Sequence, residues 1–454
     1  MRWLRRTWAV CGVAALCWLL AAPSEACVGD CDDSGTVTVD ELVLGVNIAL
    51  DLLPARRCQP IDCHSTGVVT VDCLVQAVNA ALSGCPPSPT PSATATPTPP
   101  PPTATVRASS TPTMTSTALS LPLQPVQLIL KDQPGALLSI SGTSAADVYT
   151  VGADPQDGSG PYVLHYDGQS WHRLTTHSSG TLWWISVTPI DGAFYMAGEN
   201  GVVLRYQLST QTFTRLPSLG TGTLLFGVWG TDANDIWGVG ADLSNGNPSG
   251  VVWHFDGTKW TLNGAIAKLV PQGFPILYKV WGRSVSDLYV VGQLGLVFHF
   301  DGALWSQLPT DLNGGDPADS PLFTVHGNDR DIIAVGGFLS GVILAANGAS
   351  FTDVAAPGTL QMNGVFVRND GSAAAVGITG ALAFRGSGGW QYQRLNTTLD
   401  FHGAWIDPDG GVWAVGGNLT TELNQGILAY GGNDTISNSI LPDSAASSAF
   451  ASAR

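Results

Sequence analysis

Beyond Cys85 the chain has no cysteine, although its 454 residues hold eight. Charge is scarce as well: Asp, Glu, Lys and Arg make up 12% of the sequence, lysine occurs four times, and the formal net charge is −16. No basic run follows the first few residues, which argues against nucleic acid or an anionic membrane surface as a partner. Past Ala26 no apolar stretch approaches the length of a spanning helix, so no membrane insertion is expected. Gly-rich phosphate loops, redox motifs and nucleophile–base pairs are missing. In the stretch 125–436 the only glutamates are Glu199 and Glu422. A glycosidase would have to use aspartates instead.

What the chain does have is repetition. One phrase, roughly apolar–x–x–V–W–G … D–x–Y–x–V–G … V–L–H–Y–D–G–x–x–W, returns seven times between about Leu137 and Gly417. Each copy closes on a glycine: Gly152, Gly198, Gly240, Gly292, Gly336, Gly377 and Gly416. Repeats of roughly 40–50 residues built from short β runs predict a mainly β fold, a seven-bladed β-propeller. In the third copy the runs are 225–229, 235–239, 250–255 and Trp260–Leu262. Val, Ile, Trp, Tyr and Phe fill them, and Gly, Asp, Asn and Ser separate them. Asp167-Gly168, Asp256-Gly257, Asp301-Gly302 and Asn347-Gly348 mark the turn between the third and fourth runs.

The seventh copy lacks its fourth run. An unassigned strand-like stretch, 125–131, precedes the first copy and is expected to complete the last blade, joining the two ends of the domain. The propeller is thus assigned to 125–436, followed by a flexible tail at 437–454.

The opening segment, 1–26, carries Arg2, Arg5 and Arg6, an apolar run from Trp8 to Ala22, and Ser24-Glu25-Ala26. This is the pattern of a secretory signal peptide, which places the protein outside the cell or at its surface. Cys27 follows the expected cut and raises the question of a lipid anchor. The preceding Ser-Glu-Ala lacks the apolar residue such an anchor requires at −3, and none is assigned. Cys27, Cys31, Cys58, Cys63, Cys73 and Cys85 cluster directly after it. An even, clustered set in an exported module predicts disulfides, with fifteen pairings open. The stretch 86–124 is a Pro/Thr-rich linker that favours extended chain without a core.

The module at 27–85 holds the most specific motif. Asp30 to Glu41 fits a twelve-residue EF-hand loop: Asp30, Asp32 and Ser34 at positions 1, 3 and 5, and Gly35 at the sharp turn. Thr36 offers its carbonyl at 7, Thr38 stands at 9, and Glu41 supplies the bidentate carboxylate at 12. Ca2+ takes six to eight oxygens of these kinds. An exit helix is expected over 41–53. A second copy begins at Asp62, with "TVTVDELVLGVNIAL" echoed as "VVTVDCLVQAVNAAL". There Asp62 keeps position 1, but His64, Thr66 and Cys73 replace the ligands at 3, 5 and 12, so no ion is expected. Cys63 and Cys73 sit at positions 2 and 12, where a disulfide could pin the loop.

This tandem resembles a type I dockerin. The resemblance implies a calcium-stabilised docking module and a cohesin-like or other surface docking partner. It departs from that family in its N-terminal place, its wide spacing, and Val39-Asp40 and Val71-Asp72 at positions 10 and 11. The long repeat in turn resembles secreted bacterial propeller repeats and, more loosely, the Asp-box repeats of sialidases.

Within the propeller, Asp147, Asp235, Asp287 and Asp331 recur at one repeat position, which points to turn chemistry through side chain to backbone bonds. His165, His254 and His299 recur too and are read as packing within blade faces. Trp229, Trp281, Phe366 and Trp405 are read as core between blades. Longer excursions at 153–161, 241–249, 263–275 and 309–321 are where a ligand is expected to bind. The sequence therefore points to an exported, non-enzymatic binding or scaffolding protein whose loops meet a protein or carbohydrate. A polysaccharide-active hydrolase or lyase is the alternative.

Overall fold

The computed structural model describes residues 27–31, 36–49, 58–64, 69–83, 120–270, 275–338 and 340–442. They belong to two compact units that divide at Ser110 and Thr111.

In the small unit, helix α1 (Val39–Ala49) and helix α2 (Val71–Ser83) flank a single turn of 3-10 helix, Gln59–Ile61. The expected exit helix thus starts early, at Val39 rather than Glu41. Thr38 and Glu41 explain the start. The Thr38 amide donates to Glu41 Oε2 at 2.7 Å, and the Glu41 amide donates back to Thr38 Oγ1 at 3.4 Å, a capping box. Ile48, Ile61, Val69 and Ala77 form a core too small to hold a chain this short without staples. Disulfides Cys31–Cys58 and Cys63–Cys73 provide them, and Cys27 is disulfide-bonded as well. Closing loops of this size stabilises by about 3 kcal/mol each on chain-entropy grounds.

The large unit is a seven-bladed β-propeller of antiparallel four-stranded blades. Blade 3 is representative: Thr223–Asp232 lies innermost, then Asp235–Asp242, Ser249–Phe255 and Trp260–Leu262. These bounds enclose the expected runs. Blade 7 takes Asp400–Ile406, Val412–Gly417 and Gly426–Gly431 from the end of the chain, and its outer strand, Gln127–Gln133, from the start. The ring is closed as expected, with Gln127 opposite Tyr430 and Leu128 opposite Ala429. A second clasp lies beyond the assigned end of the propeller: Ile440–Leu441 pairs parallel with the outer strand of blade 1, and the Trp171 indole donates to the Ser437 carbonyl. The stretch assigned to a flexible tail therefore begins with sheet. Leu121, assigned to the linker, is buried beside Val126 and Ile427.

The closing glycine of every repeat has one cause. A Cβ there would run into the carbonyl oxygen of the residue just before, or at the start of, the inner strand: Ala136 for Gly152, Leu224 for Gly240, Pro321 for Gly336, Asp400 for Gly416. The register shifts at that point, for example between Leu137 and Ser139, so the two strands approach more closely than any side chain allows.

The recurring aspartates and histidines turn out to be partners. His165, His254 and His299 each place Nε2 at 2.7–2.9 Å from Oδ1 of Asp147, Asp235 and Asp287 in the same blade. Each imidazole also packs on an aromatic ring of the second strand: Tyr149, Trp237 or Tyr289. The histidine reading holds. The aspartate reading needs correction, because these carboxylates accept from side chains, a histidine across the sheet and, for Asp147 and Asp287, Thr143 and Arg283 across the turn, rather than from the turn's backbone. In blade 5 Ala345 stands opposite Ile333, where blades 1, 3 and 4 carry the histidine. Asp331 there accepts from Arg385 of blade 6 at 2.9 Å. Burial pushes the Asp147 and Asp287 carboxyls up, but the hydrogen bonds they accept outweigh it and leave both below the ordinary carboxylate value.

Among the described residues no helix is long and apolar enough to cross a membrane.

Candidate functional site

Strand direction sorts the loops. Inner strands start beside the ends of second strands, as Leu277 opposite Gly292 and Leu322 opposite Gly336 show. All blade-to-blade connections and all second-to-third-strand loops therefore gather at one end of the propeller. The four excursions singled out by length share that end. The short first-to-second-strand and third-to-fourth-strand turns occupy the other.

At the short-turn end lies the larger cavity, about 1060 Å³. Trp229, Trp281, His326, Phe366 and Trp405 stand at one repeat position around it. They do not offer their faces to it. A Cβ on Gly282 would meet Trp229 at 3.1 Å, one on Gly327 would meet Trp281 at 2.8 Å, and one on Gly142 would meet Trp405 at 2.8 Å. Each indole lies on the glycine of the next blade and is 4–9% exposed. The aromatic column is inter-blade core, as its sequence position suggested. The guanidinium groups here are engaged as well: Arg283 donates to Asp287 Oδ2 and the Asn328 carbonyl, both at 2.9 Å, and Arg368 donates to the Asp407 carbonyl at 3.0 Å.

The loop-bearing end differs. A cavity of about 520 Å³ opens there, one wall of which is an arc of rings near the starts of four successive inner strands: Trp183, Phe226, Tyr278 and Phe323. Neighbouring centroids are 5.3, 5.4 and 5.3 Å apart, and the planes meet at 54–73°, so edges pack on faces. His402 of blade 7 extends the arc, 5.8 Å from Trp183, and Phe338 extends it at the far side, 6.0 Å from Phe323. The opposite wall is polar and comes from blades 6 and 7: Gln361, Asn363, Thr379, Asp400 and Thr420. Asp400 Oδ1 accepts from the Thr379 amide at 2.8 Å, and the Gln361 amide nitrogen donates to Asn363 Oδ1 at 2.8 Å. The Trp183 indole N–H is buried with no hydrogen-bond partner, a group that costs roughly 1–3 kcal/mol to leave unpaired.

Lys279 directly follows the arc's Tyr278 and is 2% exposed. Its stem crosses Gly227 of blade 3, its Nζ donates to the Phe226 carbonyl at 2.7 Å, and the amine stands 3.5 Å from the centre of the Trp184 ring. Burial holds its pKa well below the ordinary lysine range. The His402 imidazole is pushed down to about 4, chiefly by burial and secondarily by Lys279, against the opposing pull of the Leu138 carbonyl. At neutral pH that ring is uncharged. Nδ1 carries the proton toward Leu138, which leaves Nε2 a hydrogen-bond acceptor.

The sequence reading missed this arc. Aromatics near the start of each inner strand look like ordinary core. The signal was their recurrence in blades 2 to 5, and it emerges only from strand register, where each ring directly follows the residue paired with the closing glycine.

In the small unit, Asp30, Thr36, Thr38 and Glu41 of the twelve-residue loop lie within the described residues, and Asp32 and Ser34 lie outside them. Glu41 Oε1 accepts from the Cys31 amide at 2.7 Å, so position 12 folds back over position 2 and closes the loop. Asp30 is 5% exposed and Glu41 8%. In the second copy the sulfurs of Cys63 and Cys73 are consumed by their disulfide, and His64 Nε2 meets Asp72 Oδ2 at 2.7 Å. These four residues cluster like a metal site, but the bonded sulfurs cannot act as thiolate ligands.

Fold and closure together define the class: a seven-bladed β-propeller whose loops and aromatic cavity share one end. No protein-family model and no curated protein matches the chain. Among solved structures it is similar to YCF48 bound to D1 peptide, at 15% identity over 72% of this chain and 100% of that one, with a TM-score of 0.48. It is similar too to the WD40 β-propeller domain of Doa1, at 11% identity over 70% and 99%, and to YCF48 from Cyanidioschyzon merolae, at 12% over 68% and 98%, both with a TM-score of 0.48.

Proposed function

We propose that this is an exported, non-enzymatic binding protein, in which a calcium-stabilised, dockerin-like module is joined to a propeller that recognises its ligand at the loop-bearing end. The observation that supports the recognition role is the 520 Å³ cavity, with rings, an imidazole among them, on one wall and amides, hydroxyls and a carboxylate on the other. Pockets of this size and mixture are the usual form of a ligand site. The repeated aspartates that a hydrolase would have to recruit are instead tied to histidines or to Arg385 within the sheets. Incubating the purified protein with a panel of soluble polysaccharides tests this: no new reducing ends are expected, and their release would overturn the non-enzymatic reading.

Calcium in the first loop fits the residues that are placed. Two carboxylates buried within one short loop are costly unless a cation or donors compensate them. Glu41 Oε1 accepts the Cys31 amide and keeps a lone pair for a metal, whereas Oε2 accepts both the amide and the hydroxyl of Thr38 and would have to release the hydroxyl to bind one. Asp30, Asp32, Ser34, the Thr36 carbonyl, Thr38 through water, and Glu41 would hold the ion, which would supply folding energy to a module with little core. The second loop uses its disulfide instead. Calorimetric titration with Ca2+ should give one binding event, and Glu41→Gln should weaken it by at least about tenfold. Absence of heat from the unmutated protein would remove calcium from the account.

A further inference from the structure

The connections around the aromatic cavity are one-sided in charge. They and their edges carry Asp154, Asp157, Glu199, Asp242, Asp316, Asp319 and Glu422, against Lys268 and two arginines that reach this end, Arg173 at the Gly160 and Pro161 carbonyls and Arg394 at the Thr379 carbonyl. Several of these carboxylates hold turns, as Asp154 does with the Gln156 and Gly180 amides and Asp316 with the Ala318 amide. Asp242 is held below the ordinary carboxylate value by its bonds to Ser244. Apolar tips stand among them on the second-to-third-strand loops: Leu243 is 43% exposed, Leu294 45% and Phe338 48%. Leu294 takes the positive-φ turn conformation that Asn200 and Thr379 share at the same loop position of blades 2 and 6, and there it presents its side chain to solvent. Inside the rim, the cavity is lined by the rings of Trp183, Phe226, Tyr278 and Phe323.

We propose that this end docks a basic protein segment through one anchor residue, aromatic or aliphatic, that enters the ring-lined cavity while flanking lysines or arginines face the acidic loops. The inference rests on the reading that this end is the recognition face, and goes beyond it by naming the partner's chemistry. A desolvated aromatic pocket inside a polar rim is the usual setting of an interface hot spot. The rim charges would set association rate and salt dependence, and the anchor would set dissociation. Lys279 lines the same cavity, and its amine already takes the Trp184 ring face and the Phe226 carbonyl, so neither is left for a partner's cation and a neutral anchor fits better. Exposed leucine and phenylalanine tips serve a protein surface better than the hydroxyl-rich surface of a neutral glycan.

The test uses the full chain and a fluorescein-labelled library of basic heptapeptides with each natural residue in turn at the central position. Fluorescence polarisation should rank Trp, Tyr, Phe, Leu or Met above Ser and Asp at the centre by about tenfold. Trp183→Ala and Phe226→Ala should each erase that ranking, with folding checked by the melting curve. Raising salt should weaken binding for every anchor alike. Equal affinity across central residues, binding indifferent to both variants, or equal binding of acidic heptapeptides would each overturn the proposal. Neutral cello-, xylo- and mannohexaose serve as the rival probes. Heat with one of them that is lost in Trp183→Ala would overturn the basic partner and keep this end as the recognition face. If neither peptides nor hexaoses show a Trp183-dependent signal, both readings fall.

Discussion

The two ends of the propeller put aromatic rings to opposite uses, a few positions apart in the same strands. Trp229 in blade 3 and Trp281 in blade 4 sit near the short-turn end, and Phe226 and Tyr278 precede them at the loop-bearing end. The side chains alternate along the strand, and their surroundings do the rest. The short-turn end pairs every indole with a glycine of the next blade, so the ring becomes mortar between sheets. At the loop-bearing end each ring meets another ring's edge, and one side of the arc is left open. The cavity with the greater volume is therefore the structural one, and the smaller one is the candidate for recognition.

The sharpest way to break this contrast is to add a single carbon at the packed end. In Gly327→Ala the new Cβ would lie 2.8 Å from Trp281 and 2.5 Å from the Asp331 carbonyl, and in Gly142→Ala 2.8 Å from Trp405 and 2.5 Å from the Asp147 carbonyl. Overpacking of this kind costs about 1–3 kcal/mol or more, because neither ring nor backbone can yield. Each variant should lower the melting temperature by several degrees. Trp183→Ala removes far more atoms, yet its ring already borders a cavity and is only half buried, so its cost should be about half that or less. Thermal unfolding of the three variants side by side decides the matter. If Trp183→Ala proves the most damaging, the loop-bearing end is core like the other.

How far the sequence reaches differs between these ends for the same reason. Blade number, ring closure by 125–131, and the aromatic column as core were all legible, because packing repeats and repeats show in one chain. The His165–Asp147 type of pair was half legible: both partners recur, but only strand register puts Tyr149 opposite His165 and brings the imidazole to the carboxylate. Of the disulfides, Cys63–Cys73 was legible from its place at positions 2 and 12 of the second loop, and Cys31–Cys58 was not. Cys31 reaches Cys58 because Pro60 accepts from the Gly29 amide and draws the two segments together, a contact no spacing rule contains. Ile440–Leu441 was missed because so short a strand carries no periodicity. The ring-lined cavity escaped because it is an absence of packing, and a pattern of apolar residues reads the same whether or not the far side is filled.

A smaller effect tests what the two ends have in common, since each holds one imidazole kept neutral, His326 buried and His402 half-buried. His326 stacks on Phe366 with centroids 4.5 Å apart, accepts from the Val367 amide at Nδ1, and is pushed down to about 3 by burial. His402, at the cavity, lies at about 4. An unfolded chain takes up these protons near pH 6.5, whereas the folded one refuses them until about pH 4 or 3. Stability contributed by the two rings is therefore complete above about pH 6.5 and declines as pH falls toward 4, at about 1.4 kcal/mol per pH unit for each group. The carboxylates of Asp147 and Asp287, held below their ordinary values, keep their contribution until pH drops below the usual carboxylate range. Imidazole loss thus comes first. Denaturant titrations of the unmutated protein and His326→Phe at pH 7, 6, 5 and 4.5 isolate it, because the lost Val367 hydrogen bond adds a pH-independent offset. The difference between the two proteins should shrink steadily on acidification, by about one proton's worth of slope. A constant difference across that range would mean that the His326 ring can charge within the fold, and that the short-turn end is less tightly sealed than its indole-on-glycine contacts require.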